Sequence, residues 1–420
     1  MAETGSAKSS ARAAAVVLLT GILGEGALLA QLLAAPDGPL TALPPQERAR
    51  AQRLATGVLR QFAPIDKVLA PLLRKVPPLA VQNILRLAVF EVAGGAARHG
   101  VVHSAVELTR VDKRTQAFAG LVNAVLRALP DPLTLAAQPQ LLPRWLRQPL
   151  VHLWGRETVA AIEAVQAQEP PLDLTLNGPE HPEGEMLPTG SLRIRNAGQI
   201  SALPGYAEGF WWVQDAAAAL AMQLLAPQKA ETVLDLCAAP GGKTLQAAAA
   251  GAMVTALDIS GPRLARLAEN LARCQLTARL VTADALVWEP ETRFDAVLLD
   301  APCSASGTIR RHPDLPFVKD GSDLSGLILL QAQLFDRALG FLKPGGRLVY
   351  CTCSLLPEEG EAQLTAALAR HPGLKVLRPD LPWVEPAWIT PEGALRLRPD
   401  FWADRGGMDG FFMVCVTTPA

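Results

Sequence analysis

Cysteine is missing from the first 236 residues, and the six cysteines of this 420-residue chain are scattered through its second half. Six cysteines scattered in this way do not resemble a disulfide framework. We therefore expect reduced thiols and a cytoplasmic location. A continuous apolar run of 20 residues is also missing, which excludes an ordinary membrane-spanning helix. The sequence has no repeat of fixed period, which argues against solenoids and propellers.

Charged residues are few, at 19%, and half of the chain is hydrophobic, so its length suffices for two or three folded domains. The net charge of −1 conceals an asymmetry. Residues 1–150 carry 17 Lys and Arg against 9 Asp and Glu, whereas the remainder carries 22 against 31. A basic domain beside an acidic one suggests a polyanionic partner, although solvated helix faces would give a milder version of the same pattern.

The first segment has two interpretations. Lys8 and Arg12 precede the uncharged stretch 13–24, as in a signal peptide, but Glu25 interrupts the stretch early. Apolar residues continue at helical spacing, which favours a buried first helix. These residues are Val16, Val17, Leu23, Ala27 and Leu28.

Hydrophobic spacing predicts three domains. Apolar residues recur at helical intervals between Gln82 and Leu129, so residues 1–135 are predicted to form an all-α domain. Scattered prolines follow, and residues 136–210 are predicted to form a small α/β connector. It would contain a helix over 150–168 and strands over 173–176 and 192–195. Residues 211–420 form the third predicted domain.

In the third domain short apolar strands alternate with helices, which predicts a parallel, doubly wound α/β sheet. The strands are predicted at 233–236, 254–260, 280–285, 295–300 and 347–353. Ligands of such sheets bind beyond the carboxyl ends of the strands. The residues that end each strand are therefore the candidates for the site.

The first strand runs into a loop of small residues, Asp235-Leu-Cys-Ala-Ala-Pro-Gly-Gly-Lys-Thr244, which opens a helix. The loop resembles the phosphate-binding loop of nucleotide hydrolases, but Cys237 stands where that motif needs glycine. A purely structural turn is a further alternative. Asp258 and Asp284 end the next two strands, where carboxylates could accept hydrogen bonds from ribose hydroxyls and an adenine amino group. Together these features favour a nucleoside cofactor, although each aspartate alone would suit an ordinary turn.

Two cysteine-bearing segments end the last two strands: Asp300-Ala-Pro-Cys303 and Cys351-Thr-Cys353. Buried cysteines often act only as small hydrophobes, and a zinc site is disfavoured because no histidines cluster with them. A thiolate could instead add to carbon 6 of cytosine and make carbon 5 nucleophilic. Asp300 would then carry or share a proton at N3, which requires a raised pKa, and Lys243 would assist a thiol or the base. Spacing does not choose the nucleophile, since Cys351 and Cys353 are predicted to face the same side of a strand.

The combined motifs resemble the RNA cytosine-C5 methyltransferases, and more closely the bacterial RsmB (Sun/Fmu) type, which acts on 16S ribosomal RNA. The resemblance rests on DLCAAPGGKT, on the DAPCS and RRHPD segments between Asp300 and Asp314, on YCTCS and on the final DGFF. HGVVHSAVELTR and FAGLVNAVLR are similar to the NusB-type RNA-binding domain of that family. The resemblance implies a Rossmann-like methyltransferase domain behind a NusB-like one, with S-adenosylmethionine as cofactor.

The resemblance also assigns roles. Cys353 is implied as the nucleophile and Cys303 as the residue that assists product release, which leaves Cys351 without a role. Asn270 fits the family pattern as well. The implied cofactor-binding residues are Cys237, Ala238, Ala239, Pro240, Gly241, Gly242, Lys243, Asp258, Arg263, Asp284 and Asp300.

Two positions depart from the family pattern: Ala305 replaces a usual glycine, and Leu315-Pro-Phe317 replaces a usual Lys-Trp segment. Both bear on the shape of the RNA-facing loop. The same chemistry on transfer RNA or at another ribosomal position stays open, as does a non-catalytic RNA-binding assembly factor. We expect a monomer without metal or membrane.

Overall fold

The computed structural model describes residues 10–136 and 139–419. The chain divides into two compact units. Among the described residues, the first unit comprises 10–136, 139–169 and 309–320. The second unit comprises 170–308 and 321–419. The predicted connector, 136–210, is thus shared between the two units. No helix of the described residues is long and apolar enough to cross a membrane.

The first unit is helical around one hydrophobic core. Its helices are α1 (Ala11–Glu25), α2 (Leu29–Ala34), α3 (Pro45–Arg60), α4 (Phe62–Leu69), α5 (Leu79–Ala93), α6 (Arg98–Val111), α7 (Ala119–Arg127) and α8 (Arg144–Gln166). The predicted core residues Leu85, Val89 and Val122 are fully buried. The all-α prediction is confirmed. Helix α8 begins earlier than predicted, and Gly155 interrupts it with φ 82°.

Helix α1 confirms that the uncharged stretch is a buried helix, and Leu18 and Leu19 are fully buried within it. Its buried face differs from the predicted stripe, because Val17 is 53% exposed and Ala27 follows the helix end at Gly26. Lys8, part of the alternative signal interpretation, lies outside the described residues.

A segment distant in sequence also belongs to the first unit. Residues 309–320 contain the short helix α12 (Leu315–Val318). Asp314 Oδ2 accepts the backbone N–H of Leu29 at 2.9 Å, and the rings of Phe62 and Phe317 lie 5.0 Å apart. The RRHPD segment therefore packs with the helices that precede it in sequence, which spacing alone did not predict.

The second unit begins with a four-stranded antiparallel sheet of order β2-β3-β1-β4. Its strands are β1 (Leu172–Leu176), β2 (Glu185–Met186), β3 (Leu192–Ile194) and β4 (Trp211–Val213). The two predicted strands of the connector are present. The sequence division had placed 211–213 in the third domain, but β4 pairs with β1.

The main sheet has the order β10-β12-β9-β8-β5-β6-β7, and β11 pairs with β12. Its elements are α9 (Ala216–Leu225), β5 (Thr232–Leu236), α10 (Gly242–Ala249), β6 (Met253–Asp258), α11 (Gly261–Arg273), β7 (Arg279–Thr282), β8 (Phe294–Asp300), α13 (Leu324–Gly340), β9 (Leu342–Thr352), α14 (Glu361–Arg370), β10 (Lys375–Leu377), β11 (Leu395–Leu397) and β12 (Phe411–Thr417). Strands β5 to β9 are parallel, as predicted. The predicted doubly wound α/β sheet is confirmed, and β10, β11 and β12, which were not among the predicted strands, extend it by antiparallel pairing at one edge.

Strand order reverses between β5 and β8, so successive crossovers leave that point in opposite directions. A crevice opens at such a switch point, beyond the carboxyl ends of the strands. The small-residue loop follows β5 and the Cys303 segment follows β8. The topology therefore places both beside the same crevice.

Candidate active site

The loop between β5 and α10 is shaped by backbone conformations that favour small residues. Cys237 has φ 60° and Gly241 has φ 108°. A Cβ atom added to Gly241 would lie 2.0 Å from Leu267 Cδ1, so only glycine fits there. Ala238 N–H donates to the carbonyl of Leu257 at 3.0 Å, which ties the loop to β6. Pro240 is exposed and Gly242 begins α10.

Asp258 anchors this loop from the end of β6 and is only 2% exposed. Its Oδ2 accepts Ala239 N–H at 3.1 Å, and its Oδ1 accepts Ser260 N–H at 2.9 Å. Arg263 lies beside it, with Nη1 3.6 Å from Oδ2 and Nη2 donating to the carbonyl of Ala239. Each carboxylate oxygen keeps a second lone pair that a ribose hydroxyl can use.

Asp284 lies in the turn after β7. Thr282, the last residue of β7, pairs with Asp258 in the sheet, and Asp284 follows two residues later. It is exposed, and its Oδ1 accepts Leu286 N–H at 2.9 Å. Asn270 is half-buried in α11. The predicted cofactor residues thus gather around the carboxyl ends of β5, β6, β7 and β8.

A buried acceptor below the loop provides a test of fit for the implied S-adenosylmethionine. Asp235 is fully buried, and its Oδ2 accepts the hydroxyl of Thr244 at 2.6 Å. Its Oδ1 has no hydrogen-bond partner among the described residues. An unsatisfied buried carboxylate oxygen is costly and suits a cationic donor such as the ammonium group of the cofactor. The donor set therefore fits the cofactor.

Burial raises the pKa of Asp235 to about 7, which predicts a pH-dependent stability. The folded state holds this proton more tightly than the unfolded state does. The contribution is therefore complete below pH 4 and is lost as the pH rises through 7, a change on the order of 4 kcal/mol over the whole range. Asp235→Asn should remove this part of the pH dependence, because the asparagine amide does not titrate. Its oxygen can still accept the hydrogen bond from Thr244. The free energy of unfolding is measured with denaturant at pH 5 and pH 8 for the unsubstituted protein and for Asp235→Asn. Equal pH dependence in the two proteins would contradict the raised pKa of Asp235.

Lys243 and Asp300 form an ion pair in the crevice, with Lys243 Nζ 2.8 Å from Asp300 Oδ2. The lysine side chain is only 11% exposed, and Nζ also lies 5.4 Å from the ring centroid of Phe411. Burial alone would lower the pKa of Lys243, but the negative charge of Asp300 reverses this and the pKa is raised. Lys243 therefore stays protonated and serves as a charged partner rather than as a base.

Cys351 lies in β9 and is fully buried. Its Sγ is 3.5 Å from Asp300 Oδ1. Burial, followed by the charge of Asp300, raises its pKa well above the usual range. A buried thiol that keeps its proton is a poor nucleophile.

Cys353 differs from Cys351 because β9 ends at Thr352, so Cys353 lies in the turn beyond the strand and is partly exposed. The prediction that the two cysteines share one side of a strand is therefore wrong. Cys353 Sγ lies 3.4 Å from Cys303 Sγ, which is also partly exposed. The hydrogen bond with Cys353, followed by burial, raises the pKa of Cys303 well above its usual range. The structure thus brings the two predicted thiols together and keeps a proton on Cys303.

Close backbone contacts shape the turn around these thiols. A Cβ atom added to Gly307 would lie 1.9 Å from the carbonyl oxygen of Gly410, so the DGFF segment approaches the cysteine segment directly. Ala305 adopts φ 58°, a conformation that favours the glycine usual there in the resembled family.

Glu359 is a site residue that the sequence interpretation missed. It is fully buried and accepts hydrogen bonds from the segments that carry both thiols. The segment 355–361, LLPEEGE, contains three glutamates, and the sequence pattern does not separate the buried Glu359 from its exposed neighbour Glu358. No group of three or more metal-binding side chains occurs among the described residues.

Comparison with known families finds two matches along the chain. Residues 222–416 match the family described as 16S rRNA methyltransferase RsmB/F, and residues 9–131 match the NusB family. The ribosomal RNA small subunit methyltransferase B of Cronobacter sakazakii is 37% identical, over 79% of this chain and 86% of its own.

Solved structures give similar results. PH0851 matches 97% of this chain and 98% of its own, with a TM-score of 0.74 and 22% identity, which shows a shared fold. A methyltransferase homologue from Pyrococcus horikoshii is 28% identical over 64% of this chain and 93% of its own, with a TM-score of 0.55.

Proposed function

The chain belongs to the RsmB/F family of ribosomal RNA methyltransferases, and we propose that it methylates carbon 5 of a cytosine in 16S ribosomal RNA through a covalent bond to Cys353. Membership makes it an S-adenosylmethionine-dependent RNA methyltransferase with a NusB-like domain. The observation that carries the finer proposal is the pair of thiols, 3.4 Å apart, beside Asp300 at the switch point of the sheet.

The cofactor would be held by the loop 237–243 together with Asp258 and Asp284. When bound, it supplies an electrophilic methyl group on a sulfonium centre. Asp235 would accept from its ammonium group, since Oδ1 of this buried carboxylate has no partner among the described residues.

Cys353 is the better nucleophile for reasons of accessibility and proton placement. Cys351 is fully buried, whereas Cys353 is partly exposed. The Cys303 thiol, whose pKa is raised, keeps its proton and lies 3.4 Å from Cys353 Sγ, so its S–H group can stabilise the negative charge that Cys353 carries when it attacks. The family resemblance assigns the same residue.

The covalent step balances as an addition followed by an elimination. The Cys353 thiolate forms a bond from Sγ to C6, the C5=C6 π pair moves to C4–C5 and the C4=N3 pair moves to N3, which takes a proton, so the ring becomes an enamine with a nucleophilic C5. C5 would then take the methyl group, whose bond to the cofactor sulfur breaks and leaves S-adenosylhomocysteine. A base takes the C5 proton, the C6–S bond breaks, N3 loses its proton, and the thiolate returns to Cys353. Cys303 keeps its proton and can hydrogen-bond the departing thiolate, which would assist release.

Asp300 would lie against N3 of the cytosine. In the structure its carboxylate accepts from Lys243, and a proton shared between Asp300 and N3 in the bound complex stays a prediction. The target base must leave its stack, because a stacked neighbour would cover the face that the thiolate attacks.

The helical unit offers a groove for the RNA backbone. The groove, of 540 Å³, lies between α6 and α7, the helices formed by the two NusB-like motifs. Its charged and polar lining residues include Arg98, His99, His103, Glu107, Arg110, Asn123 and Arg127. Glu107 pairs with Arg110 at 2.7 Å, whereas Arg127 is exposed. Three guanidinium groups against one carboxylate suit phosphate groups.

Arg127→Glu is expected to weaken RNA binding by about tenfold and to reduce the slope of log affinity against log salt by about one, since one phosphate contact is lost. Binding is measured by filter retention at 50 to 300 mM salt. Arg53→Glu makes the same charge change on an exposed residue of α3 outside the groove and should have little effect. Equal losses in both variants would indicate that only net charge matters.

The substrate is tested by incubating the protein with methyl-labelled S-adenosylmethionine and either unmodified 16S RNA or transfer RNA, followed by mapping of 5-methylcytosine. We expect label at one cytosine of 16S RNA. Label on transfer RNA alone would move the substrate, and no label on either would support a non-catalytic assembly factor. We also propose that the protein acts as a monomer in the cytoplasm, where its thiols stay reduced.

A further inference from the structure

Glu359 links the two segments that carry the thiols, here named the Cys303 loop (301–306) and the Cys353 loop (353–359). Its Oε1 accepts the backbone N–H of Ser304 at 2.8 Å, from the Cys303 loop. Its Oε2 accepts the hydroxyl of Ser354 at 2.5 Å, next to Cys353. One fully buried carboxylate therefore binds both loops, each at the residue that follows its cysteine.

A third donor completes the coordination of this carboxylate. Gln331, a fully buried residue of α13, donates from Nε2 to Glu359 Oε1 at 2.9 Å and to the carbonyl of Pro302 at 2.9 Å. The helix thus holds Glu359 and the residue before Cys303 through one amide. Among the described residues, the donors to this carboxylate come from the Cys303 loop, the Cys353 loop and α13.

The backbone of Glu359 is fixed independently of its side chain. The hydroxyls of Tyr350 and Thr352 donate to its carbonyl oxygen at 2.9 and 3.0 Å. Replacing the side chain therefore leaves β9 connected to this turn. It would, however, remove the acceptor shared by Ser304 and Ser354.

We propose that Glu359 is a positioning residue that sets the separation of the Cys303 and Cys353 thiols. It does not contact the reacting atoms and acts through Ser304, Ser354 and Gln331. The inference rests on the proposed function for its catalytic consequence, but the thiol separation itself is a property of the protein alone. A misplacement on the order of 1 Å at a reacting centre can reduce the rate by about a hundredfold.

The separation is measured without RNA or cofactor by treating the full chain with diamide, which takes two hydrogens from a pair of neighbouring thiols and leaves a disulfide. Peptide mapping then gives the rate of formation of the Cys303–Cys353 bond. We expect Glu359→Ala to slow this rate by about tenfold or more, and Glu359→Gln, which keeps one acceptor and the side-chain volume, to recover most of it. Glu358→Ala, on the exposed neighbour, is the matched control and should react like the unmodified protein.

Methylation kinetics provide the second measurement. Glu359→Ala should lower kcat in parallel with the disulfide rate, with KM for RNA and cofactor unchanged. If Glu359→Ala does not melt cooperatively, Gln331→Ala replaces it and should give a smaller loss in the same direction. If folded Glu359→Ala forms the Cys303–Cys353 disulfide as fast as the protein without a substitution, the proposal is overturned. If no RNA is methylated by the unmodified protein, the proposed function fails, and the disulfide rates still decide the role of Glu359.

Discussion

Cys303→Ala is expected to accumulate a covalent protein–RNA complex that the unmodified protein forms only transiently. The reason is that removing this thiol leaves Cys353 free to attack but withdraws the S–H group that lies 3.4 Å from its sulfur. Cys353→Ala should form no complex and should reduce methyl transfer by about a thousandfold or more, since the nucleophile is lost. Denaturing gel electrophoresis with labelled RNA measures the complex, and label transfer measures the rate.

Cys415→Ala is the control for thiol removal, because Cys415 is buried in β12 and has no assigned part in the reaction. It should leave both measurements unchanged. A complex that persists in Cys353→Ala and disappears in Cys303→Ala would exchange the two roles.

Asp300→Ala is expected to reduce both activity and stability, for separable reasons. The substitution leaves the ammonium group of Lys243 nearly buried without its carboxylate partner, which should cost about 2–3 kcal/mol in the free energy of unfolding. Activity should also fall by about a hundredfold or more, because no carboxylate remains to share the proton at N3 of the cytosine. Denaturant unfolding and steady-state kinetics measure the two effects.

The double variant Asp300→Ala with Lys243→Met separates these effects. Methionine removes the unpaired charge and keeps an apolar chain of similar length, so stability should recover largely while activity stays low. Recovery of activity together with stability would show that Asp300 serves only to neutralise Lys243.

Two strand ends beside the crevice could be predicted from the sequence, because strand positions follow from hydrophobic alternation. Asp258 and Asp300 are the last residues of their strands, where the pattern placed them. The Gly-rich loop was recognisable in the sequence as a run of small residues. The structure gives the reason for the glycine at 241, because its conformation and the space around it exclude other residues. The fold class and the family are confirmed, whereas the individual catalytic roles stay predictions.

Features set by long-range packing were beyond the sequence interpretation. Strand periodicity predicted a strand that continues to residue 353, but β9 ends at Thr352, so the structure was needed to separate Cys351 from Cys353. The antiparallel strand β12 pairs with β9 through residues 60 to 70 positions apart in sequence. Glu359 and the 309–320 segment are defined by contacts with distant residues, and no local pattern records those contacts.

The bond between Cys353 Sγ and carbon 6 of cytosine can be trapped with RNA that contains 5-fluorocytosine, because fluorine at C5 cannot leave as a proton does and the adduct persists. After incubation with S-adenosylmethionine and protease digestion, we expect mass spectrometry to find the methylated nucleotide on the peptide that contains Cys353. A nucleotide attached to Cys303 or to any other residue, or methylation of ordinary RNA with no adduct from the fluorinated RNA, would contradict it.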